Sequence, residues 1–288
     1  MKKYIATFLL LWTAAAMSQP ACFSAEQAAE LVSHFYARTA APDLPLMDAA
    51  TGECSRLQYQ KALSQRHGAV IGYKVGLTNA AIRRAFRADT PQWGTLYEGM
   101  LLPNGSAVSA SFGAQPTVEA DLLVRVGSAE INTAQTIDDV LKALDQVIPF
   151  IELPDMLVKT PLKLNAHSLG AINLAARLGV MGVPVAVPQE PEQRASLQES
   201  LVKMKLVMAD GAGVTLGESV GSDLLDHPLN AALWLVRELN RQGIRVQPGQ
   251  FLSLGTFPPV RPPKAGTRFV VDYKGLEGSA PVWVQFRQ

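Results

Sequence analysis

Val118-Glu119-Ala120-Asp121-Leu122-Leu123-Val124 is an apolar, strand-like stretch with two carboxylates set into it. Side chains at i and i+2 of a strand point to the same face, so Glu119 and Asp121 converge on one point. A third acid, Glu152, ends the similar run 148–152, and a neighbouring strand would bring it to the same place. Because buried, unpaired carboxylates are costly, this arrangement predicts a bound cation. Oxygen ligands with no nearby His or Cys suit Mg²⁺, Mn²⁺ or Ca²⁺ better than zinc.

Spacing alone leaves a second interpretation of this stretch open. Glu119 and Asp121 would also share a face if they lay on the solvated side of an amphipathic strand. Evidence from other parts of the chain is therefore needed to distinguish a metal site from a solvent-exposed strand face.

The composition is that of an ordinary globular protein. The chain has 288 residues, of which 48% are hydrophobic and 18% charged, enough for one large domain or two smaller ones. Its net charge of +1 comes from scattered Lys and Arg, so nothing indicates binding to nucleic acid or to an acidic membrane surface. A small neutral or anionic ligand is the expected partner.

Residues 1–18 have the composition of a secretory signal peptide. Lys2 and Lys3 form a positive start, residues 4–16 are apolar, and small residues follow, which leave the exact cleavage position open. We therefore expect export to the periplasm or secretion, with no membrane attachment after cleavage. An uncleaved anchor is disfavoured because the apolar run is shorter than the roughly 20 residues that a spanning helix needs.

The chain contains two cysteines, Cys22 and Cys54. An oxidising compartment would permit one disulfide between them, tying the N-terminal helix to the next segment. The alternative is two isolated thiols. Cys22 is also a poor lipid-attachment site, because the usual aliphatic residue three positions before it is missing.

Hydrophobic periodicity predicts helices early in the chain and strands later. The predicted helices span residues 26–38, 57–65, 78–86 with Thr78 as the cap, 136–146, and a segment from Asp226 and Pro228 to Gly243. The predicted strands span residues 69–75, 100–102, 117–126, 148–153, 183–187, 251–254, 268–273 and 281–286, with a two-stranded hairpin within 201–214 and a loop at 89–94. This order predicts an α+β fold rather than alternating βαβ units. We expect a helical portion, residues 19–95, that includes the strand of Lys74, followed by a β-rich metal-binding catalytic domain, residues 96–288.

Gly217-Glu218-Ser219-Val220-Gly221 matches the nucleophile-elbow pattern of serine hydrolases. That motif needs a strand before it, a helix directly after it, and a catalytic histidine later in the chain. Only His227 follows Ser219, and a triad confined to so few residues does not suit that fold. We therefore expect these glycines to form a tight loop that leads into the helix after Asp226.

Gly72-Tyr73-Lys74-Val75-Gly76-Leu77-Thr78 places a lysine in an apolar strand. Burial of its ammonium requires a carboxylate, a ligand anion or a lowered pKa, so a functional role is favoured for Lys74. The alternative is that its stem is packed and the ammonium reaches the surface.

Several segments together resemble the 2-keto-4-pentenoate hydratase and 4-oxalocrotonate decarboxylase family of the fumarylacetoacetate hydrolase superfamily. In order and spacing they are Gly72 to Thr78, Gly94-Thr95-Leu96, Glu119-Ala120-Asp121, Glu152, Asn173 and His227-Pro228-Leu229-Asn230-Ala231-Ala232-Leu233-Trp234-Leu235. The resemblance covers nearly all of the chain after residue 18. It implies a fumarylacetoacetate-hydrolase-like mixed β-roll with an N-terminal helical portion, and a homo-oligomer.

The resemblance also implies a chemistry. Mg²⁺ or Mn²⁺ would bind to Glu119, Asp121 and Glu152 and polarise a 2-oxo or 2-hydroxydienoic acid from aromatic-ring degradation. Lys74 would transfer a proton or bind the substrate anion. The family pattern further implies that Leu77, Asn173 and Gly255 contact the substrate. The expected activity is that of a hydratase, which is a lyase.

The chain departs from this family where protons are transferred. The family commonly has an acid at the position of Gln92, which pairs with the lysine, and Gln cannot act as a base. Asp89 is close in sequence, and we therefore name it as a candidate catalytic substitute.

Three further positions differ from the family pattern. Ala175 stands where a Ser is common, and Leu254 where a Thr is common. Asp121 replaces a longer Glu and should bind metal from farther back. A decarboxylase, a C–C hydrolase and a non-catalytic metal-binding or 2-oxo-acid-binding protein therefore remain alternatives to the hydratase.

Overall fold

The computed structural model describes residues 21–288, so the predicted signal peptide lies outside the described residues. Seven α-helices occur in that part of the chain: α1 (Ala25–Ala37), α2 (Ala49–His67), α3 (Ala80–Ala85), α4 (Ile137–Lys142), α5 (Ala166–Ala171), α6 (Pro191–Lys203) and α7 (Pro228–Arg241). None of the helices between residues 21 and 288 combines the length and the apolar composition that spanning a bilayer requires.

Fourteen strands accompany the helices within residues 21–288. They are β1 (Val70–Gly76), β2 (Gln92–Tyr97), β3 (Leu101–Pro103), β4 (Ala107–Ser109), β5 (Val118–Val126), β6 (Leu144–Leu153), β7 (Leu178–Met181), β8 (Val185–Ala186), β9 (Lys205–Asp210), β10 (Thr215–Val220), β11 (Phe251–Ser253), β12 (Phe257–Arg261), β13 (Arg268–Lys274) and β14 (Val282–Arg287). The predicted α+β class is confirmed.

The strands form two mixed sheets. The larger has nine strands in the order β2-β1-β11-β5-β6-β7-β3, with β12 paired to β5 and β8 to β6. The smaller has the order β10-β9-β13-β14-β4. Tyr273 of β13 joins the sheets, because its buried hydroxyl contacts the carbonyl oxygen of Asp121 and accepts a hydrogen bond from the Phe150 amide at 3.1 Å.

The order of the large sheet decides where the acids meet. β5 and β6 are antiparallel, and Glu119 lies directly opposite Glu152. β11 lies between β1 and β5, and Lys74 is opposite Ser253. β11 therefore separates the strand of Lys74 from that of Glu119, and both β11 and β5 separate it from that of Glu152. The predicted domain boundary between residues 95 and 96 falls within β2, which shares this sheet.

The N-terminal helices are tied to each other by a disulfide and to the rest of the chain by an arginine. A disulfide joins Cys22 to Cys54 of α2, with a Cα–Cα distance of 5.6 Å, so the pairing left open by the sequence is present. Arg177 stacks on the ring of Phe35 in α1 at 4.1 Å and forms a buried ion pair with Asp155 at 3.0 Å. These contacts fix the helical portion on the rest of the chain.

The structure corrects several expectations about local structure. The helix predicted at 136–146 ends at Lys142 and is followed by β6 from Leu144. Residues 191–203 form α6, so the hairpin predicted within 201–214 begins later, with β9 and β10 around the turn at 211–214. The predicted loop at 89–94 already contains the start of β2. Asn79, not Thr78, caps α3, because its side chain accepts from the Ala81 amide at 2.9 Å.

Candidate active site

A cavity of about 720 Å³ lies beside β1, β5 and β6. Lys74, Glu119 and Glu152 line its polar end, and most of the remaining wall is apolar. Three of the residues that were predicted to carry the chemistry therefore share one cavity. Asp121 does not line it.

Lys74 and Glu152 form a buried ion pair at the polar end. Each residue is 4% exposed, and Lys74 Nζ contacts Glu152 Oε1. This burial excludes the alternative in which Lys74 reaches the protein surface. A lysine held beside an acid in a cavity can hold or move a proton at Nζ, or bind a ligand anion.

Glu119 faces the same space from β5 and is held by two hydroxyl groups. Thr117 Oγ1 donates to it at 3.2 Å, and Thr256 Oγ1 donates to its other oxygen. Burial, followed by the negative charge of Glu152, raises the pKa of Glu119 to about 7, although Lys74 and the two threonines oppose the rise. The site therefore holds more carboxyl groups than the single cation Lys74 can pair with.

Asp121 lies behind the cavity wall with no exposed surface. Ser253 Oγ donates to its Oδ2 at 2.6 Å, and the Gly255 amide donates to its Oδ1 at 2.8 Å. Burial and then Glu152 raise the pKa of Asp121 to about 7, against the hydrogen bonds from Ser253 and Leu122. Asp121 thus adds a third carboxyl group beside the site without facing the ligand space.

The polar end suits a hard divalent cation in its chemistry, but the three predicted acids do not form one ligand group. No group of three or more His, Cys, Asp or Glu side chains that could hold a metal ion occurs within residues 21–288. Glu119 and Glu152 offer oxygens to the cavity, whereas the shorter Asp121 is retained by donors from residues 253–255. Carboxylate oxygens and surplus negative charge are what Mg²⁺ or Mn²⁺ requires. The ligand set of three acids stays a prediction.

Of the predicted substrate contacts, Leu77 lines the cavity and Gly255 does not. Gly255 has φ 110°, and a Cβ there would lie 2.7 Å from Thr78 Oγ1, so only glycine fits without strain. Its role in the structure is to present its amide to Asp121. Gly255 therefore supports an acid rather than the ligand space.

Asn173 was also predicted to contact substrate, but its amide is used within the protein. It accepts from the Thr95 amide at 2.7 Å and donates to the Thr95 carbonyl at 2.9 Å, and Gln60 donates to it at 3.0 Å. Asn173, Leu174 and Ala175 have φ values of 59°, 51° and 57°. Asn173 therefore anchors a left-handed turn whose next residues, Leu174 and Ala175, line the cavity.

Asp89 is not placed for the catalytic role predicted for it. Its side chain is exposed, and neither Asp89 nor Gln92 lines the cavity. Gln92 opens β2 and lies opposite Gly76 at the end of β1, so its side chain belongs to another part of the surface. Glu152 occupies the position beside Lys74 that we predicted for Asp89. It belongs to β6, which lies on the other side of β1 from β2 in the sheet.

The serine-hydrolase pattern has no matching local structure. Ser219 lies within β10, not between a strand and a following helix, and its hydroxyl donates to the Pro258 carbonyl at 2.6 Å. The tight loop that we expected at residues 217–221 is therefore wrong, because residues 217–220 are part of β10. His227 caps α7, with Nδ1 accepting from the Leu229 amide at 3.0 Å. Both side chains therefore have local structural partners.

Thr117 and Thr256 are site residues that the sequence analysis missed. Each places a hydroxyl on Glu119. Thr117 precedes Glu119 by two positions on an extended segment, which puts both on one face and was a usable signal. Thr256 had no such signal, because only the pairing of β12 with β5 brings its neighbourhood to Glu119.

Curated proteins of known activity resemble this chain over most of its length. A 2-keto-4-pentenoate hydratase from Paraburkholderia xenovorans is 28% identical over 236 residues, which cover 82% of each chain. A 4-oxalocrotonate decarboxylase from Pseudomonas putida is 25% identical over 234 residues, covering 81% of this chain and 85% of the relative. No family model matches the sequence.

Solved structures share the fold. The 4-oxalocrotonate decarboxylase from Pseudomonas putida G7, complexed with magnesium and adipate, has a TM-score of 0.76 at 23% identity and covers 93% of this chain and 100% of its own. Fumarylpyruvate hydrolase from Pseudomonas aeruginosa, in complex with Mn²⁺ and pyruvate, has a TM-score of 0.55 at 14% identity, covering 75% of this chain and 88% of its own. The predicted fold, with N-terminal helices beside a curled mixed sheet, is confirmed. These relatives and structures confirm the predicted resemblance to the 2-keto-4-pentenoate hydratase / 4-oxalocrotonate decarboxylase family within the fumarylacetoacetate hydrolase superfamily.

Proposed function

We propose that this protein is a metal-dependent hydratase that adds water to a 2-hydroxydienoate or 2-oxo-enoate of the kind formed in aromatic-compound breakdown. The observation that carries the proposal is the Lys74–Glu152 ion pair, which shares one cavity with Glu119. The relatives named as hydratases support this reaction class.

Glu119 and Glu152 are the residues that would hold Mg²⁺ or Mn²⁺, with Asp121 adding negative charge behind them. Thr117 and Thr256 orient Glu119 through their hydroxyl groups. When bound, such a cation acts as a Lewis acid that stabilises negative charge on the 2-oxygen of the substrate.

Lys74 is the residue that we assign to proton handling. Its Nζ holds a proton at the polar end of the cavity, beside Glu152. From there it can pass the proton to the substrate chain or bind the substrate carboxylate.

Ultraviolet absorbance of a 2-hydroxydienoate mixed with the purified protein tests this proposal. We expect Mg²⁺-dependent loss of the dienoate signal in the wild type, no such loss with Glu119→Gln, and unchanged turnover with Glu130→Gln, whose side chain is exposed. Full activity of Glu119→Gln would contradict the assignment.

One observation favours a second candidate. Within the described residues, Glu152 is the sole acid in ion-pair contact with Lys74, and Asp89 lies outside the cavity. A protein that binds metal and 2-oxo acids without turnover would need no further acid or base beside Lys74. Binding of the dienoate by calorimetry with no product in the same sample would support the binding protein, and product analysis would separate water addition from decarboxylation or C–C hydrolysis.

We also propose that the protein is exported to the periplasm or secreted. The composition of residues 1–18 and the Cys22–Cys54 disulfide support this location, because disulfides persist in oxidising compartments. Mass spectrometry of the protein recovered from fractionated cells tests it, and an intact Met1 in the cytoplasmic fraction would contradict it.

A further inference from the structure

The cavity is larger than the reacting end of a short 2-hydroxydienoate requires. Its volume of about 720 Å³ is within the range of about 300–1,000 Å³ that holds drug-sized ligands. The polar groups lie together at one end of the cavity. Lys74 pairs with Glu152, and the register of β5 and β6 places Glu119 opposite Glu152. Most of the volume therefore lies beyond the groups that would bind the acid end.

The wall beyond these groups is apolar and comes from three different segments. Ile82 and Phe86 belong to α3 and its C-cap, Leu169 to α5, and Leu174 to the left-handed turn. Leu162 also lines the cavity and is 79% exposed, which places it at the opening. The apolar wall thus continues from the polar end to solvent.

Within residues 21–288, a second charged group on the ligand would have no buried cation to pair with along this wall. Apart from Lys74, Glu119 and Glu152, the ionisable lining residue is Arg261. Its side chain is exposed, and its guanidinium donates to the Leu216 carbonyl. A distal carboxylate would lose its hydration without gaining a buried cation, whereas an alkyl or aryl group would leave water favourably.

We propose that the ligand carries an uncharged apolar substituent, an alkyl chain or a phenyl ring, that packs between α3, Leu169 and Leu174. This inference rests on the proposed function for the identity of the acid end, and on the cavity wall for the tail. It names the substrate class as long, monocarboxylic 2-oxo or 2-hydroxydienoic acids.

Calorimetric binding of stable 2-oxo acids in the presence of Mg²⁺ tests the tail without requiring turnover. The probes are pyruvate, 2-oxooctanoate, 2-oxoadipate and octanoate. Since each buried methylene contributes about a fourfold gain in affinity, we expect 2-oxooctanoate to bind at least roughly tenfold more tightly than pyruvate or 2-oxoadipate. Equal or tighter binding of 2-oxoadipate would overturn the proposal.

Ala81→Arg supplies the missing cation. Ala81 is exposed and lines the cavity, so an arginine there can enter it with little effect on folding. We expect about tenfold weaker binding of 2-oxooctanoate and tighter binding of 2-oxoadipate, through a charge-assisted contact. Ala80→Arg is the matched control, because Ala80 is exposed on the same helix but does not line the cavity, and its affinities should equal those of the wild type. The same change in both variants would overturn the proposal.

The probes distinguish failure of the tail from failure of the acid end. If octanoate binds as tightly as 2-oxooctanoate, with and without Mg²⁺, the apolar tail is upheld and the proposed 2-oxo-acid function is contradicted. If pyruvate and 2-oxooctanoate bind equally and only with Mg²⁺, the proposed function is upheld and the tail is contradicted. Absence of binding by every probe contradicts both.

Discussion

Two buried ion pairs within residues 21–288 differ in what surrounds them. Arg177–Asp155 balances one charge with one, and the Gln115 and Leu157 amides donate to Asp155 Oδ1 at 2.8 and 3.2 Å. The ion pair of Lys74 and Glu152 lies instead at a cavity, within reach of the charges of Glu119 and Asp121.

The difference indicates which ion pair stabilises the fold and which belongs to the functional site. A buried pair in which one cation balances one acid, and which does not line the site cavity, has little to offer a ligand, and Arg177–Asp155 fits that description. A pair with excess acid and open space leaves charge that only a bound group can neutralise. We therefore assign the first pair to holding the N-terminal helices and the second to the site.

Replacing Lys74 with Met should give the largest effect on activity. Proton transfer by a positioned side chain contributes about 10²–10⁴-fold, so kcat for a 2-hydroxydienoate should fall by that factor. Steady-state ultraviolet kinetics measure it, and exposed Lys61→Met serves as the control. A loss of less than tenfold with a normal circular dichroism spectrum would remove Lys74 from the mechanism.

Replacing Asp155 with Asn should give the largest loss of stability. Arg177 would remain buried without its partner, at a cost of about 3–5 kcal/mol in the free energy of unfolding. Urea denaturation followed by fluorescence measures it. Asp145→Asn breaks the more exposed pair with Arg125, whose side chains are 37% and 38% exposed, and should cost about 0–1 kcal/mol. Equal losses in the two variants would refute the distinction between buried and exposed pairs.

Addition of Mg²⁺ should stabilise the wild type but not Glu119→Gln. A ligand at 100 times its dissociation constant raises the free energy of unfolding by about 2.7 kcal/mol, because it binds only the folded state. Thermal unfolding with EDTA or with excess Mg²⁺ measures the difference. Stabilisation of both proteins by the same amount would place the cation elsewhere.

His227 should give the smallest effect, through pH. It is 7% exposed, and burial lowers its pKa, partly opposed by the backbone of Gln198. The unfolded state, with a His pKa near 6.5, therefore binds the proton first, and stability falls as the pH drops below about 6.5. His227→Asn keeps a side chain that can cap α7 and should show a shallower pH dependence of the unfolding midpoint. Identical slopes for the two proteins would show that His227 does not contribute.

Local structure was predictable where a periodic apolar pattern existed. α1, β5 and α7 follow their predicted segments closely, because each buries one regular face. Helix α6 was missed because it is mostly polar, with Leu201 as its single fully buried residue, and so carried no periodic signal.

The sequence by itself determined two residues of the site. The spacing along β5 placed Glu119 on one face of that strand, and the charge of Lys74 in an apolar strand required a partner. The family resemblance added the expectation that Glu152 lies at the same site. Only the tertiary structure decided that Asp121 is held behind the wall by Ser253 and Gly255, and that Asp89 stays in solvent. Spacing along a strand fixes the face on which a side chain lies. Which donors reach that side chain depends on segments more than a hundred residues away in the chain, and these meet only when the sheet forms.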